Sequence, residues 1–302
     1  MNCIINIIAY NRPQHLKEVL RSVEFELAKY KGDIKFSVNV VIDGMQSTGC
    51  IQENTQEQII RICRMFKFDF LIRNSNLGLR KNIHTVLSDF KKSSFDTLIL
   101  IEDDVCLLPQ ALDFYDFMFK KFKNNQDIFQ ISGYSPLDEK ELNYFFSHRI
   151  STWGWATWRE KFPNLEEFKL NWKTFNFIYW HQKYKSNILM NDLKRLFRLQ
   201  KKGLRDLWSV DLLIYAMTKK KKTIYPSISF IKNIGLDGSG ENCRKRYSFN
   251  GKEINKIIDT PIFNFKLLKH DQSKLECMFN KYYQHGIFKR TILSFYDFFR
   301  WK

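Results

Sequence analysis

Three adjacent carboxylates, Glu102-Asp103-Asp104, follow the apolar run "TLILI" without a break, and a helix-like segment begins a few residues later. Like charges crowded at a strand end repel one another and cost folding free energy unless a cation or a set of donors compensates. The triplet suits a hard divalent cation, since Mg2+ and Mn2+ prefer oxygen ligands and are commonly held by one or two carboxylates plus ligand phosphates. It suits an acidic helix entry equally well, with Asp103 or Asp104 favouring the N-terminus of the next helix. Taken alone, the triplet does not separate these readings.

The elements that must position the acids alternate along the first half of the chain. "CIINIIAY" (3–10) is a continuous apolar run, followed by Pro13 and the helix-like "QHLKEVLRSVEFELAKY". Next come the strand "KFSVNVVID" (35–43), the helical "TQEQIIRICRMF" and the strand "KFDFLIR" (67–73). The helix-like "LRKNIHTVLSDFKK" then leads to the strand "DTLILIE" and to "LPQALDFYDFMFKKF", with Pro109 at a helix start. Strands alternating with helices over short connections predict a parallel sheet covered on both faces. Ligands of such sheets sit outside the carboxyl ends of the strands. Those ends are Tyr10-Asn11-Arg12, Asp43-Gly44, Arg73-Asn74 and Glu102-Asp103-Asp104, all polar, which predicts a site for a charged ligand.

From about residue 125 the pattern changes. "IFQISGYS" and "LNYFFSHRI" read as strands, "STWGWATWREKF" packs three tryptophans into six residues, and 172–220 reads as largely helical. A strand and a glycine-rich loop, "NIGLDGSGEN" (233–242), follow, and the C-terminal segment reads as a basic, aromatic helix. The expected organisation is one domain over 1–245, divided at 124/125 into a ligand-binding and a catalytic half, with an extension over 246–302.

With 302 residues, 44% hydrophobic and 16% aromatic, the chain can bury a substantial core, and global disorder is excluded. Its formal charge of +17 is unevenly placed. Residues 1–182 carry 23 Lys+Arg against 22 Asp+Glu, whereas 183–302 carry 26 against 10. This asymmetry points to an anionic partner, whether nucleic acid, a membrane surface or a phosphorylated substrate, or else to drift in a lysine-rich composition. The six cysteines show no Cys-x-x-Cys or zinc-like spacing and read as reduced thiols of a cytosolic protein. The apolar start stops at Asn11-Arg12-Pro13 and reads as a buried strand rather than a signal core or membrane helix.

Taken together, "IIAYNRPQHLKEVLRSV", "VVIDGM", "NSNLGLRKNI", "IEDDV", "ISGYS", "WGWATW" and "WSVD" resemble, in order and spacing, the GT-A-fold glycosyltransferases. The form is most similar to the inverting N-acetylglucosaminyltransferase I type and its bacterial family 2-like relatives, over roughly 3–240. The resemblance implies a Rossmann-like α/β fold with a mixed, mostly parallel sheet flanked by helices, and a helical C-terminal extension. It implies a nucleotide-sugar donor, UDP-linked, with Mn2+ or Mg2+ as the cofactor. Asp104 would bind the metal with Glu102 in support, and Asp103 would hold the donor ribose or sugar. Tyr10, Asn11 and Arg12 would line the nucleotide pocket, Asp43 would accept from the base, Asn76 would lie beside the donor, and Arg80 would stand near the phosphates. Trp153 and Gly154 would form the turn lining donor and acceptor, with Trp158 in the core. Asp211 would be the general base, with Asp206 second, and as a first-turn helix acid it could also cap.

The glycine-rich loop would order over the diphosphate with Lys232, Arg244 or Lys245 supplying charge, while Glu241-Asn242-Cys243 stands where relatives often carry a histidine. His84 and His148 read as structural. The acceptor would be a glycan or lipid-linked hydroxyl in bacterial surface polysaccharide synthesis, and the 285–302 segment would touch an anionic inner leaflet or pack on the domain. Two other readings stand against this one. A nucleic-acid-binding protein using the basic C-terminal third conflicts with the strand-end acids, and a sugar nucleotidyltransferase lacks its glycine-rich opening loop.

Overall fold

The apolar runs become strands and the amphipathic stretches become helices that cover them. The structure, a computed structural model, describes residues 1–45, 50–137, 144–164 and 207–235, together with 199–200, 202–203, 274–275, 277–279 and 281. In chain order the elements are β1 (Asn2–Ala9), α1 (Pro13–Lys29), β2 (Lys35–Ile42), α2 (Cys50–Phe66), β3 (Asp69–Ile72), α3 (Gly78–Lys92) and β4 (Thr97–Glu102). They continue with β5 (Val105–Leu107), α4 (Ala111–Phe122), β6 (Ile128–Ser132), β7 (Tyr144–Ser147) and β8 (Trp155–Trp158). Last come α5 (Trp208–Thr218), β9 (Lys222–Pro226) and β10 (Ile231–Asn233).

Eight of these strands form one sheet in the order β3-β2-β1-β4-β8-β6-β9-β7. The block β3-β2-β1-β4 is parallel throughout, and β6 runs parallel to β9. Strand β8 is antiparallel to both its neighbours, and β7 is antiparallel to β9. The sheet is therefore mixed and mostly parallel, as the resemblance implies, and its parallel block is the one that the strand–helix alternation of the first half predicts.

Period-two alternation divides each run between the two faces. Ile5, Ile7, Val40, Ile42, Ile99 and Ile101 join α1, α2 and α4 in one core, through residues such as Leu20, Ile59 and Phe119. Ile8, Val41, Leu98 and Leu100 join Ile83 and Leu87 of α3 and Trp208 and Leu212 of α5 in the other. Burial of both faces is the physical reason why these strands are continuous apolar runs rather than alternating ones.

One expectation needs refinement. The acids do not lead straight into a helix: Asp103 and Asp104 form the turn between β4 and the short β5, and α4 starts only at Ala111, after Pro109 and Gln110. Val105 and Leu107 are buried while Cys106 between them is half-exposed, and this alternation lets β5 turn back and pair antiparallel with β10. Gln110 adopts a left-handed conformation (φ 70°) at the entry to α4.

Two buried ionisable side chains fasten the two ends of α4. Glu26 of α1 lies against the N-terminus of α4, where the Leu112 N–H donates to Oε2 at 3.5 Å. Burial pushes this carboxyl up to about 7, although the N–H groups of Leu112, Gln110 and Ala111 oppose the rise. Lys161 donates to the Asn125 carbonyl at 2.9 Å and to that of Phe122, satisfying acceptors at and just beyond the end of α4, and its Nζ lies 3.7 Å from the centre of the Trp158 ring. Its burial lowers the ammonium to about 8. Trp158 is thus a core residue, as expected.

Cys3 and Cys63 are buried free thiols, and burial pushes them up to about 12 and about 11. No helix among the described residues is long and apolar enough to cross a membrane.

Candidate active site

The sheet order sets the carboxyl ends of β2, β1 and β4 side by side, so Asp43, Tyr10-Asn11-Arg12 and Glu102-Asp103-Asp104 stand in one row. The Asp43 N–H donates to the Ala9 carbonyl at 2.9 Å and closes the gap between two of these ends.

Arg12 is the residue before α1. Its carbonyl accepts from Leu16 N–H at 3.0 Å, and Pro13, which has no N–H to satisfy, opens the helix. The side chain makes no cap and turns instead to the acids. Nη1 donates to Asp104 Oδ2 at 2.9 Å, and Nη2 donates to Asp103 Oδ1. The Asp103 and Asp104 side chains are 5% and 15% exposed, which makes this a sheltered ion cluster. Burial pushes Glu102 up to about 8, with the charges of Asp104 and Asp103 adding to the rise and Arg12 opposing it. Asp103 rises to about 6, again chiefly from burial, with Arg12 as the main opposing influence and a Tyr10 backbone hydrogen bond assisting it.

Residues beyond β10 complete the acid turn. The Ile234 N–H donates to the Asp104 carbonyl at 2.8 Å, and the Gly235 N–H donates to Asn233 Oδ1 at 2.8 Å. A Cβ on Gly235 would overlap the Asp104 carboxylate, so only glycine leaves Oδ2 its place. Asn233 and Gly235 escaped the sequence reading, which treated "NIGLDGSGEN" as a loop over the diphosphate. The signal was the glycine itself, but its target is a contact 131 positions upstream, beyond any local rule. Lys232 lies on β10 opposite Cys106.

The cluster fits a divalent cation on two counts. Its donors are carboxylate oxygens at a turn, the ligand type a hard dication takes, and Gly235 leaves the Asp104 carboxylate the place it occupies there. Among the described residues no group of three or more His, Cys, Asp or Glu side chains could hold a metal alone, so ligands from outside these side chains would have to complete the set.

Asp43 and Asn76 weld the ends of β2 and β3 together. Asp43 Oδ1 accepts from the Gly44 and Leu77 N–H groups, both at 2.9 Å. Asn76 Nδ2 donates to the Gly44 carbonyl at 2.7 Å, and its Oδ1 accepts from Gly78 N–H at 3.1 Å. A Cβ on Gly44 would run into the backbone of Ser75, and Gly78 takes a φ of +73° at the start of α3.

The expected phosphate ligand and the expected base meet in one cluster. Arg80 Nε and Nη2 donate to Asp211 Oδ2 at 3.0 and 2.6 Å, and His84 Nε2 lies 3.5 Å from the same oxygen. Arg80 and His84 are one turn apart on α3, facing the first turn of α5. The Asp211 side chain is 2% exposed and that of Arg80 is 31% exposed. A concavity of about 620 Å3 opens over Arg80, His84 and the outer face of α3. His84 thus stands in this cluster, a contact hidden in the sequence because its partner is 127 residues away. His148 does serve the fold, its Nδ1 lying 3.1 Å from the Lys221 carbonyl.

Trp153 is half-buried and meets Tyr134 edge-on at 5.0 Å. Gly154, with φ +50°, presents its carbonyl to Gly133 N–H at 2.6 Å and to the Tyr115 hydroxyl at 2.8 Å, beside Val105 and Ile231 of the β5–β10 ribbon. The turn therefore abuts the strands that carry the acids. Trp155 is wholly buried and stacks on Trp208.

Asp206, Glu241, Asn242, Cys243, Arg244 and Lys245, and most of 246–302 with its expected membrane contact, lie outside the described residues. Of that segment, Leu275 and Phe279 are buried against Phe145 and Tyr225 of the sheet.

No protein-family model matches the sequence, and no curated protein matches it. Partial likenesses occur among solved structures. Staphylococcus aureus TarS 1–349 in complex with UDP has 16% identity and a TM-score of 0.34, over 47% of this chain and 37% of that one. The mannosyltransferase PcManGT from Pyrobaculum calidifontis in complex with GDP-Man and Mn2+ has 14% identity and a TM-score of 0.32, over 43% and 34%. Glucosyl-3-phosphoglycerate synthase from Mycobacterium tuberculosis, with Mn2+, UDP-glucose and phosphoglyceric acid, has 12% identity and a TM-score of 0.34, over 53% and 57%. The matched region thus spans less than two thirds of each of these chains.

Proposed function

We propose that this chain is a metal-dependent inverting glycosyltransferase that moves a sugar from a UDP-linked donor to a hydroxyl of a glycan or lipid-linked acceptor in bacterial surface polysaccharide synthesis. The observation that carries the reading is the row of strand ends in which Arg12 is bonded to Asp103 and Asp104 beside Asp43. An acid pair neutralised by a guanidinium at the binding edge of a parallel sheet suits a ligand that brings both a dication and phosphates.

Asp43 would receive the base through Oδ2, because Oδ1 is engaged by two backbone N–H groups. Tyr10 and Asn11 would line the nucleoside, Asn76 would hold the adjoining loop, and Asp103 would take a donor hydroxyl. A divalent cation at Asp104, with Glu102 behind it, would stabilise the charge developing on the departing diphosphate. The Trp153-Gly154 turn would offer an apolar face to a sugar. Asp211 would take the proton as the acceptor oxygen bonds to the anomeric carbon and the bond to the diphosphate breaks. A carboxylate paired with arginine is a weak base. The role therefore requires Arg80 to turn from Asp211 towards the diphosphate when donor is present.

The test is a thermal-shift panel of UDP, GDP, CDP, dTDP and ADP with Mn2+ or EDTA, with RNA and DNA alongside. A ligand at about 100 times its Kd stabilises by about 2.7 kcal/mol, a clear shift. A Mn2+-dependent shift with UDP that Asp104→Ala abolishes is expected. A response to nucleic acid alone would replace this reading with the nucleic-acid one.

A further inference from the structure

We propose that Arg12 is an internal cation that holds the metal position of the strand-end acids in the ligand-free chain, so that a divalent ion must compete with it for Asp104. The proposal rests on the reading of Asp104 as the metal-binding carboxylate.

Four observations converge on it. Arg12 does not fork onto a single carboxylate. It spans two, with Nη1 on Asp104 Oδ2 at 2.9 Å and Nη2 on Asp103 Oδ1. A cation shared between adjacent acids takes the place a small dication would take. The oxygen it uses on Asp104 is also the one that packs against Gly235, whose missing side chain leaves it that place. Moreover, Arg12 directly precedes α1, where the helix dipole disfavours positive charge, so its placement there depends on the acids across from it. Finally, the Arg12 side chain is only 19% exposed, so water screens the cluster weakly and a guanidinium and a dication sharing it would repel strongly.

A nucleotide diphosphate removes the conflict. Its oxygens add ligands for the ion and give the planar guanidinium an anion that its fork matches well. Arg12 then passes from the acids to the diphosphate while Asp104 passes to the metal. Metal alone should bind weakly, nucleotide alone should bind weakly, and each should tighten the other by the same factor.

The experiment measures Mn2+ binding to the full chain by isothermal titration and by loss of the free-ion EPR signal, with and without UDP. The variants are Arg12→Gln, Arg12→Lys and Asp104→Asn. Arg12→Gln should bind Mn2+ alone about tenfold more tightly than the native chain, yet bind UDP in saturating Mn2+ about tenfold more weakly. These opposite signs are the signature, since general damage to the site would weaken both. Arg12→Lys keeps the charge without the fork and should fall between; if circular dichroism shows that Arg12→Gln does not fold, the Lys variant decides by the same two signs. Mn2+ affinity that is unchanged or weaker in Arg12→Gln, with binding still abolished by Asp104→Asn, overturns the competition and leaves the metal site standing. Mn2+ binding that survives Asp104→Asn overturns the metal assignment, and this proposal with it.

Discussion

At the scale of single residues, the site is a set of charges that neutralise one another. Arg12 sits on Asp103 and Asp104, and Arg80 sits on Asp211 with His84 beside it. Each arginine to which the proposed reaction gives the diphosphate is held by a carboxylate to which it also gives a role. For the Asp211 pair this arrangement has a measurable cost. Arg80→Ala leaves a carboxylate that is 2% exposed without its guanidinium and should lower stability by about 2–4 kcal/mol in urea denaturation. The double variant Arg80→Ala/Asp211→Asn should recover part of that loss, because the stranded charge is gone; purely additive losses would mean that the pair is not coupled. Asp211→Asn alone should abolish transfer while leaving Mn2+-dependent UDP binding intact, and normal turnover would remove Asp211 as the base.

At the scale of elements, the β5–β10 ribbon decides where the acid turn lies. Strand β4 delivers Asp104, but the backbone after β10 fixes it, through the Ile234 N–H and the absence of a side chain at Gly235. Gly235→Ala should therefore displace the carboxylate without unfolding the domain. The expected result is a melting temperature close to that of the native chain and Mn2+ affinity at least about tenfold weaker, measured by titration. Unchanged Mn2+ affinity would show that the ribbon does not position the site. The Trp153-Gly154 turn leans on the same ribbon through Val105 and Ile231, so one pair of short strands serves both the acids and the expected sugar-lining turn.

At the scale of the whole molecule, two cores clamp the sheet, and a buried acid at one helix junction makes stability depend on pH. Unfolded, Glu26 ionises near 4.5, whereas in the fold it keeps its proton up to about 7. Between these values the unfolded chain binds fewer protons than the folded one. Stability from this group is thus fully present below about 4.5, falls as pH rises through about 7, and is constant beyond. Glu26→Gln should remove its share of the slope and leave that of Glu102 and Asp103, which burial also raises. At pH 8 it should stabilise by about 1–3 kcal/mol, and near pH 4 it should make little difference, as read by denaturant melts across that range. A slope as steep in the variant as in the native chain would assign it wholly to other groups.

How much of this was legible along the chain depends on the range of the interaction. Strands β1 to β4, their helices and the polar strand ends could be read directly, because a strand buried on both faces must be an unbroken apolar run and a helix on its surface must repeat near 3.6 residues. The acids at 102–104 announced a need for compensation for an equally local reason: charges one residue apart cannot avoid each other. Sequence spacing could not show which groups would compensate them. Arg12 reaches Asp104 across 92 positions, Arg80 reaches Asp211 across 131, and Gly235 makes room for Asp104 from just beyond β10, the strand that pairs with β5. Those pairings follow from the strand order and from the packing of α3 against α5. Only the folded chain specifies them, because side-chain reach is a few ångströms and tertiary packing alone brings such distant positions within it.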